Sequence, residues 1–390
     1  MNGVRRVYLD NASTTPIDPK VLRSMSSYLK EKYGNSSSLH YEGRIAKHAI
    51  EESRDKIAQI IGAKQNEIIF TSGGTESDNL AILGLAEAYK HKGNHIITSS
   101  IEHKAILNSC KKLEKDGFEV TYLDVNKNGL VSLEHLDSSL RQDTILVSIM
   151  HANNEIGVIQ PINKISKIIK ESKIANPIFH SDACQTAGVL SVDIKELGVD
   201  ALTISSSKIY GPKGVGCLYL SKNLKIEPII VGGGQERGIR SGTENVASII
   251  GFAEALTISS KKRLAESERL TRLRDYFLSK IIKEINGVSL NGIAKNRLPN
   301  NINISIRGVE GESLVLLLDE RGISCSTGSA CSSMDLSPSH VLISIGIPLE
   351  HAHCSVRFTL GRYTQKKDID YAVDILSESV KKIRSMSSIK

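Results

Sequence analysis

Short runs of apolar and β-branched residues alternate with segments of helical period through the first two thirds of the chain. The runs at 67–71, 95–99, 119–123, 144–150, 177–181, 200–205 and 216–220 read as strands. Between them, 44–61 puts Ala46, Ala49, Ile50, Ile57, Ile60 and Ile61 on one face and stops at Gly62, and 76–92 and 104–115 carry the same period. This alternation predicts an α/β fold: a largely parallel sheet covered by helices on both sides. After Gly251 the pattern changes to one long charged helix over 261–286, with Leu270, Leu273, Phe277, Ile281 and Ile285 as its buried stripe. Strands at 301–305 and 355–359 and helices at 312–321 and 366–386 then predict a smaller α+β unit. The boundary is expected near the start of the charged helix. That gives a large unit over 15–260 and a small one built from 1–14 and 261–390, packed rigidly with a site between them.

Composition narrows the function classes. Forty per cent apolar and 24% charged residues describe an ordinary globular chain of 390 residues. The net charge of +7 comes from scattered lysines and arginines without a basic block, so a solvated surface explains it. With 11 tyrosines, 6 phenylalanines and no tryptophan, few aromatic platforms are available for stacking bases, and direct nucleic-acid binding is not expected. Six irregularly spaced cysteines without a Cys-x-x-Cys describe neither a disulfide framework nor a zinc ribbon; they fit a reducing compartment. No segment has the uninterrupted apolar length of a membrane span, and the cytoplasm is the expected location.

The candidate chemistry lies where strands end. Asp182 follows the run 177–181, and Lys208 follows 200–205 within Ser205-Ser-Ser-Lys208-Ile-Tyr-Gly-Pro-Lys-Gly214. A carboxylate and a lysine on successive strand ends are the pairing that pyridoxal phosphate (PLP) requires: the lysine amine holds the cofactor as an imine, and the carboxylate keeps the ring nitrogen protonated. Each residue alone reads more blandly, Asp182 as a helix cap and Lys208 as a surface amine. Burial among small residues lowers a lysine's pKa toward the range of an imine-forming amine. The strand ending at Thr71 runs through Ser72-Gly-Gly-Thr75-Glu76 into a helix, an arrangement that binds phosphate, although the same glycines also suit an ordinary turn. His103 lies just beyond another strand, placed to stack on a cofactor or shuttle protons, or simply to cap a helix. Cys331 sits among Gly328, Ser329, Ala330, Ser332 and Ser333, the composition of a loop that can swing and not of a core.

These residues carry a resemblance to the cysteine desulfurases of the PLP-dependent class V aminotransferases, in the subgroup with the longer cysteine-bearing loop. It runs from Tyr8-Leu-Asp-Asn-Ala-Ser-Thr-Thr-Pro16 to Ser355-Val-Arg-Phe-Thr-Leu-Gly-Arg362. Its most specific blocks are 71–79, 150–157, 232–238 with 240–243, and 328–331. The resemblance implies the type I PLP-dependent transferase fold, a homodimer with sites at its interface, and L-cysteine as substrate. Carried over by position, it implies that Lys208 holds PLP, Asp182 pairs with the pyridine nitrogen, Gln185 bonds the ring oxygen and His103 stacks on the ring. Thr75, Gly74 and Ser205 would bind the phosphate, joined by Thr243 of a second subunit. Asn154 and Arg357 would grip the substrate carboxylate, and Cys331 would accept sulfur as a persulfide. The implied acceptor is an iron–sulfur scaffold or a tRNA-thiolation protein. Other readings of the same fold are a selenocysteine lyase, an aminotransferase, or a catalytically silent binding protein.

The chain departs from that pattern in places. Ser36 stands where proline is frequent, and the chain ends soon after its last helix, which leaves little tail for a scaffold protein. His351, His353 and Cys354 have metal-binding side chains at a spacing that matches no structural zinc motif, and no metal is expected. Ser207 stands where the family usually has histidine. A hydroxyl can donate one hydrogen bond to a phosphate but carries no charge, and the loss weakens cofactor retention by about 1–3 kcal/mol. Ser207→His is therefore expected to tighten PLP binding, and an equilibrium titration showing no change in affinity would refute this.

Overall fold

The computed structural model describes residues 5–328 and 338–386. Its strands are β1 (Val7–Tyr8), β2 (Ile68–Thr71), β3 (His95–Ser99), β4 (Glu119–Leu123), β5 (Thr144–Ser148), β6 (Ile178–Asp182), β7 (Ala201–Ser205), β8 (Gly216–Leu220), β9 (Val288–Leu290), β10 (Asn301–Ile306), β11 (Ile323–Ser324) and β12 (Ser355–Thr359). Seven of them form one sheet in the order β2-β8-β7-β6-β5-β3-β4. The expected α/β class is found, with one exception to parallel pairing: β8 runs antiparallel to both β7 and β2. Chain length explains it. Residues 206–215 are all that join β7 to β8, whereas a parallel crossover needs a dozen or more residues. Lys208 sits in that tight connection, just past the end of β7.

Two other expectations need correction. The helix expected over 261–286 is Val246–Glu284, 39 residues long and spanning roughly 58 Å at about 1.5 Å per residue. Its first fifteen residues show no polar stripe because they are wrapped on nearly all sides, lying against the helices Pro19–Lys30 and Tyr41–Ile61. The helix expected over 76–92 begins at Gly74, and residues 80–84 take a π turn, where the Gly84 carbonyl accepts from Glu227 N–H at 3.1 Å.

The long helix shares its residues between two apolar cores. Ala247, Phe252, Leu256 and Ile258 join a core that includes Ile57, Phe70, Val147 and Phe179 under the seven-stranded sheet. Leu270, Phe277 and Ile281 join Val7, Leu9, Ile304, Phe358 and Val373 around the three-stranded sheet β12-β10-β9. There Phe277 and Phe358 pack with ring centroids 5.2 Å apart, a favoured aromatic separation. No helix among the described residues is long and apolar enough to cross a membrane.

A buried ion pair secures the edge strand β2. Arg54, on Tyr41–Ile61, makes two 2.7 Å bonds to the Glu236 carboxylate, and both side chains are almost fully buried. Glu236 Oε2 also accepts from Phe70 N–H at 2.8 Å, while Arg54 and Arg237 both donate to the Ile68 carbonyl. Glu236 and Arg237 have φ of 45° and 60°, a left-handed geometry costing about 1–3 kcal/mol per non-glycine residue. The ion pair holds them there. Arg54→Met would leave the Glu236 charge buried and uncompensated, and we expect a loss of about 3–5 kcal/mol, read as a lower urea midpoint.

Candidate active site

The carboxyl ends of the parallel strands converge on a cavity of about 470 Å³. Gly74, Thr75, His103, Asn154, Asp182, Gln185, Ser205, Lys208 and Arg357 all line it. Thr243 does not: it is exposed and lies outside the cavity. Cys331 lies outside the described residues, and Gly328, three positions before it, lines the cavity.

One end of the cavity is built for an anion. Gly73, with φ of 149°, turns the chain from β2 into the helix that starts at Gly74, and no side chain caps that helix's first turn. A Cβ at Gly73 would meet no atom within 4 Å. The hydroxyl residues Thr75, Ser205 and Ser207 stand around this end, with the Ser205 and Ser207 oxygens 3.3 Å apart. Glu76 steadies the turn by accepting from Ser72 N–H at 2.9 Å and pairing with Arg240 Nε at 2.8 Å. Ser36, standing where proline is frequent, donates to Glu244 at 2.6 Å, a hydrogen bond that proline could not make.

Asp182, the last residue of β6, is buried and accepts from Cys184 N–H at 2.8 Å. The groups around it are kept neutral. Burial, then the Asp182 carboxylate, push Asp78 well above the usual carboxylate range, and its Oδ1 has no hydrogen-bond partner. Burial lifts Glu102 to about 8, against hydrogen bonds from Ser99 Oγ and Met150 N–H. Burial lowers His151 and His180 to about 4 each, and His180 spans Ser148 Oγ at 2.9 Å and Thr203 Oγ1 at 3.0 Å. Cys184 packs beneath Gly74, and burial followed by the Asp182 charge raises its thiol well above the usual range.

The Lys208 amine donates to the Ser13 carbonyl. His103 caps the helix Lys104–Lys115, its Nδ1 accepting from Ala105 N–H at 3.1 Å, which puts the proton of the neutral ring on Nε2. The capping and cavity-lining readings of this residue therefore hold together. Gln185 Nε2 donates to the Ala12 carbonyl at 3.0 Å. Arg357, in the middle of β12, is buried; it donates to the Asn154 carbonyl at 2.9 Å, to Asp10 at 2.8 Å and to Ser13 Oγ at 2.9 Å, and its buried Nε has no partner among the described residues. The sequence reading gave no role to Asp10, Asp78, Glu102 or Cys184. Asp10 and Asp78 do lie inside the blocks that carry the resemblance.

This donor set fits PLP. An uncapped helix start with three hydroxyls suits its phosphate, a buried carboxylate its ring nitrogen, and an amine its aldehyde. Among the described residues, no three His, Cys, Asp or Glu side chains gather into a metal cluster, and Cys354 Sγ contacts the Glu350 carbonyl at 3.4 Å.

The aminotransferase class-V profile matches residues 7–372. The chain belongs to that family. It is 56% identical over 386 residues, covering 99% of this chain and 97% of the relative, to a protein of Dictyoglomus turgidum named cysteine desulfurase IscS. It is 48% identical over 382 residues to the cysteine desulfurase IscS 1 of Archaeoglobus fulgidus, covering 98% and 99% of the two chains. Among solved members of the family, a NifS-like protein superimposes with a TM-score of 0.91 at 37% identity, covering 97% of this chain and 100% of the other. SspA, solved in complex with cysteine, gives a TM-score of 0.79 at 38% identity, covering 92% and 99%.

Family membership leaves the electrostatics of this site open to test. Glu102 rises from an ordinary 4.5 to about 8 on folding. Below pH 4.5 both states are protonated; between 4.5 and 8 only the unfolded state loses the proton, so stability falls with rising pH by about 1.4 kcal/mol per pH unit. Glu102→Gln keeps an acceptor for Ser99 and Met150 and removes this loss. The variant should gain steadily on wild type in denaturation midpoints from pH 5 to pH 8, and parallel pH profiles would show the group does not titrate this way.

Proposed function

We infer that the chain is a cysteine desulfurase that converts L-cysteine to L-alanine and holds the sulfur as a persulfide on Cys331. The observation that carries this reading is the convergence of the Lys208 amine, the buried Asp182 carboxylate, an uncapped helix start and the Arg357 guanidinium on one cavity, lined also by Gly328. Relatives 48–56% identical over nearly the whole chain bear the same name.

Bound in the cavity, PLP supplies an electron sink for negative charge developing at the substrate Cα. Lys208 would hold it through Nζ, and the same amine would serve as the base for the Cα proton; positioned proton transfer of this kind contributes about 10²–10⁴-fold. Asp182 keeps the ring nitrogen protonated. Gln185 has a second amide N–H, beyond the one given to Ala12, for the ring oxygen. His103 covers the ring and exchanges a proton through Nε2. Thr75, Gly74 and Ser205 hold the phosphate, and Thr243 serves the cavity of a second copy, making the enzyme a homodimer. Asn154 and Arg357 orient the substrate carboxylate, with Asp10 fixing the guanidinium. At Cys331 a sulfur–sulfur bond forms as the substrate Cβ–S bond breaks, and Cβ takes up a proton, so cysteine and thiol become alanine and persulfide.

The two apolar cores support a division into a large unit over 15–260 and a small unit of 1–14 and 261–390, with the long helix running through both. The sulfur passes to an acceptor protein for iron–sulfur cluster assembly or tRNA thiolation, in the cytoplasm. Incubation with L-cysteine followed by intact mass should show one added sulfur on wild type and none on Cys331→Ser. Persulfide on the variant, or none on wild type, overturns the reading.

A further inference from the structure

One residue touches both of the groups assigned to the two ends of an amino acid. Arg357 Nη2 donates to Ser13 Oγ at 2.9 Å, and the Lys208 amine donates to the Ser13 carbonyl. Ser13 is half-buried and lines the cavity together with Lys208, Asn154 and Arg357. An α-amino acid carries its amine and its carboxylate on one carbon, so a residue in contact with both holding groups stands beside that carbon. The Ser13 hydroxyl accepts from the guanidinium, and its own hydrogen goes to no acceptor among the described residues. A hydroxyl can accept and donate at once. This one is placed to donate to an anion that the guanidinium holds.

The backbone around Ser13 is fixed without its side chain. Asn11 N–H donates to the Thr359 carbonyl at 3.3 Å and Ala12 N–H to Thr359 Oγ1 at 2.9 Å, which ties the segment to the end of β12. Ser13 N–H itself donates to the Asp10 carbonyl at 3.1 Å. On the other side Thr15 N–H donates to the Ser207 carbonyl at 2.9 Å, and Thr15 Oγ1 accepts from Tyr210 N–H at 2.8 Å, which ties the segment to the turn that carries Lys208. None of these bonds uses the Ser13 hydroxyl, so it can be deleted with the segment in place. Arg357 also keeps its bonds to Asp10 and to the Asn154 carbonyl.

We propose that Ser13 is a further substrate-binding residue, its hydroxyl donating to the substrate carboxylate beside Arg357. The proposal rests on Arg357 being the carboxylate ligand and on Lys208 holding PLP. The contact selects for a free α-carboxylate, because an amine that lacks one gains nothing from this hydroxyl.

The test titrates the PLP-loaded protein with L-alanine and with ethylamine, following the absorbance change, and measures PLP affinity separately by equilibrium titration. L-alanine keeps the α-carboxylate and has no sulfur to transfer; ethylamine has neither. Ser13→Ala should weaken L-alanine by ~10- to 100-fold and leave ethylamine and PLP within about twofold of wild type. Arg357→Lys keeps a cation for Asp10 but has no Nη2 for Ser13. In that background Ser13→Ala should still weaken L-alanine by about threefold or more. Unchanged L-alanine binding in Ser13→Ala overturns the proposal, and so does an equal loss for L-alanine and ethylamine. The absence of any further loss on Arg357→Lys overturns it too, because Ser13 would then act only by steadying the guanidinium. Wild type that binds ethylamine as tightly as L-alanine has no carboxylate site, and it overturns the Arg357 reading along with this one, without any variant.

Discussion

Burying the Asp182 carboxylate is the constraint on which the rest of the site depends. A charge removed from water raises the cost of every further charge near it, so its neighbours must be neutral or hydrogen-bonded. Asp78, Glu102 and Cys184 are all pushed toward their protonated forms, with Asp182 contributing in each case, and burial keeps His151 and His180 unprotonated. Five titratable side chains thus behave as polar but uncharged walls. The result is a cavity lined by the Asp182 carboxylate, the Lys208 amine and the Arg357 guanidinium, charges that suit a protonated pyridine ring and an amino-acid carboxylate.

The fold delivers these groups by simple means. Parallel strands end on one side of the sheet, so residues far apart in sequence, from Ser72 through His103 and Asp182 to Ser205, arrive at one cavity. Lys208 arrives by a different route, on the short link that forces β8 to run antiparallel. Arg357 comes from the three-stranded sheet, and the 39-residue helix that enters both cores fixes that sheet's place against the large one. The Arg54–Glu236 pair does similar work at the far edge, tying the 234–240 turn to β2 and, through Arg240 and Glu76, to the start of the helix at Gly74.

Legibility in the sequence followed the range of the interaction involved. Strands at 95–99, 119–123, 216–220 and 355–359 were readable to the residue because compact runs of apolar, aromatic or β-branched residues are bounded by glycine, charge or a helix cap within the next few positions. The first turns of the helix Val246–Glu284 were not, since a helix buried on nearly every face has no polar stripe to reveal its period. Residues placed at strand ends, Asp182, Ser205 and Lys208 among them, announced themselves through local motif and position. Asp10 did not, because its partner Arg357 is 347 positions away and nothing in the local sequence names it. Thr243 marks another limit, since it is exposed and stands outside the cavity.

The same electrostatics bear on which thiol can receive sulfur. Cys184 already lines the cavity, yet it is the wrong nucleophile: burial and the Asp182 charge hold it as a thiol, and only the thiolate attacks. Burial likewise pushes up Cys110, Cys217, Cys325 and Cys354, every other cysteine among the described residues. A thiol fixed in a desolvated wall beside the Asp182 carboxylate cannot serve both as structure and as a sulfur carrier that must later meet an outside acceptor. That argues for an acceptor thiol that is not built into the cavity wall, a requirement the proposed Cys331, three residues beyond the cavity-lining Gly328, is compatible with.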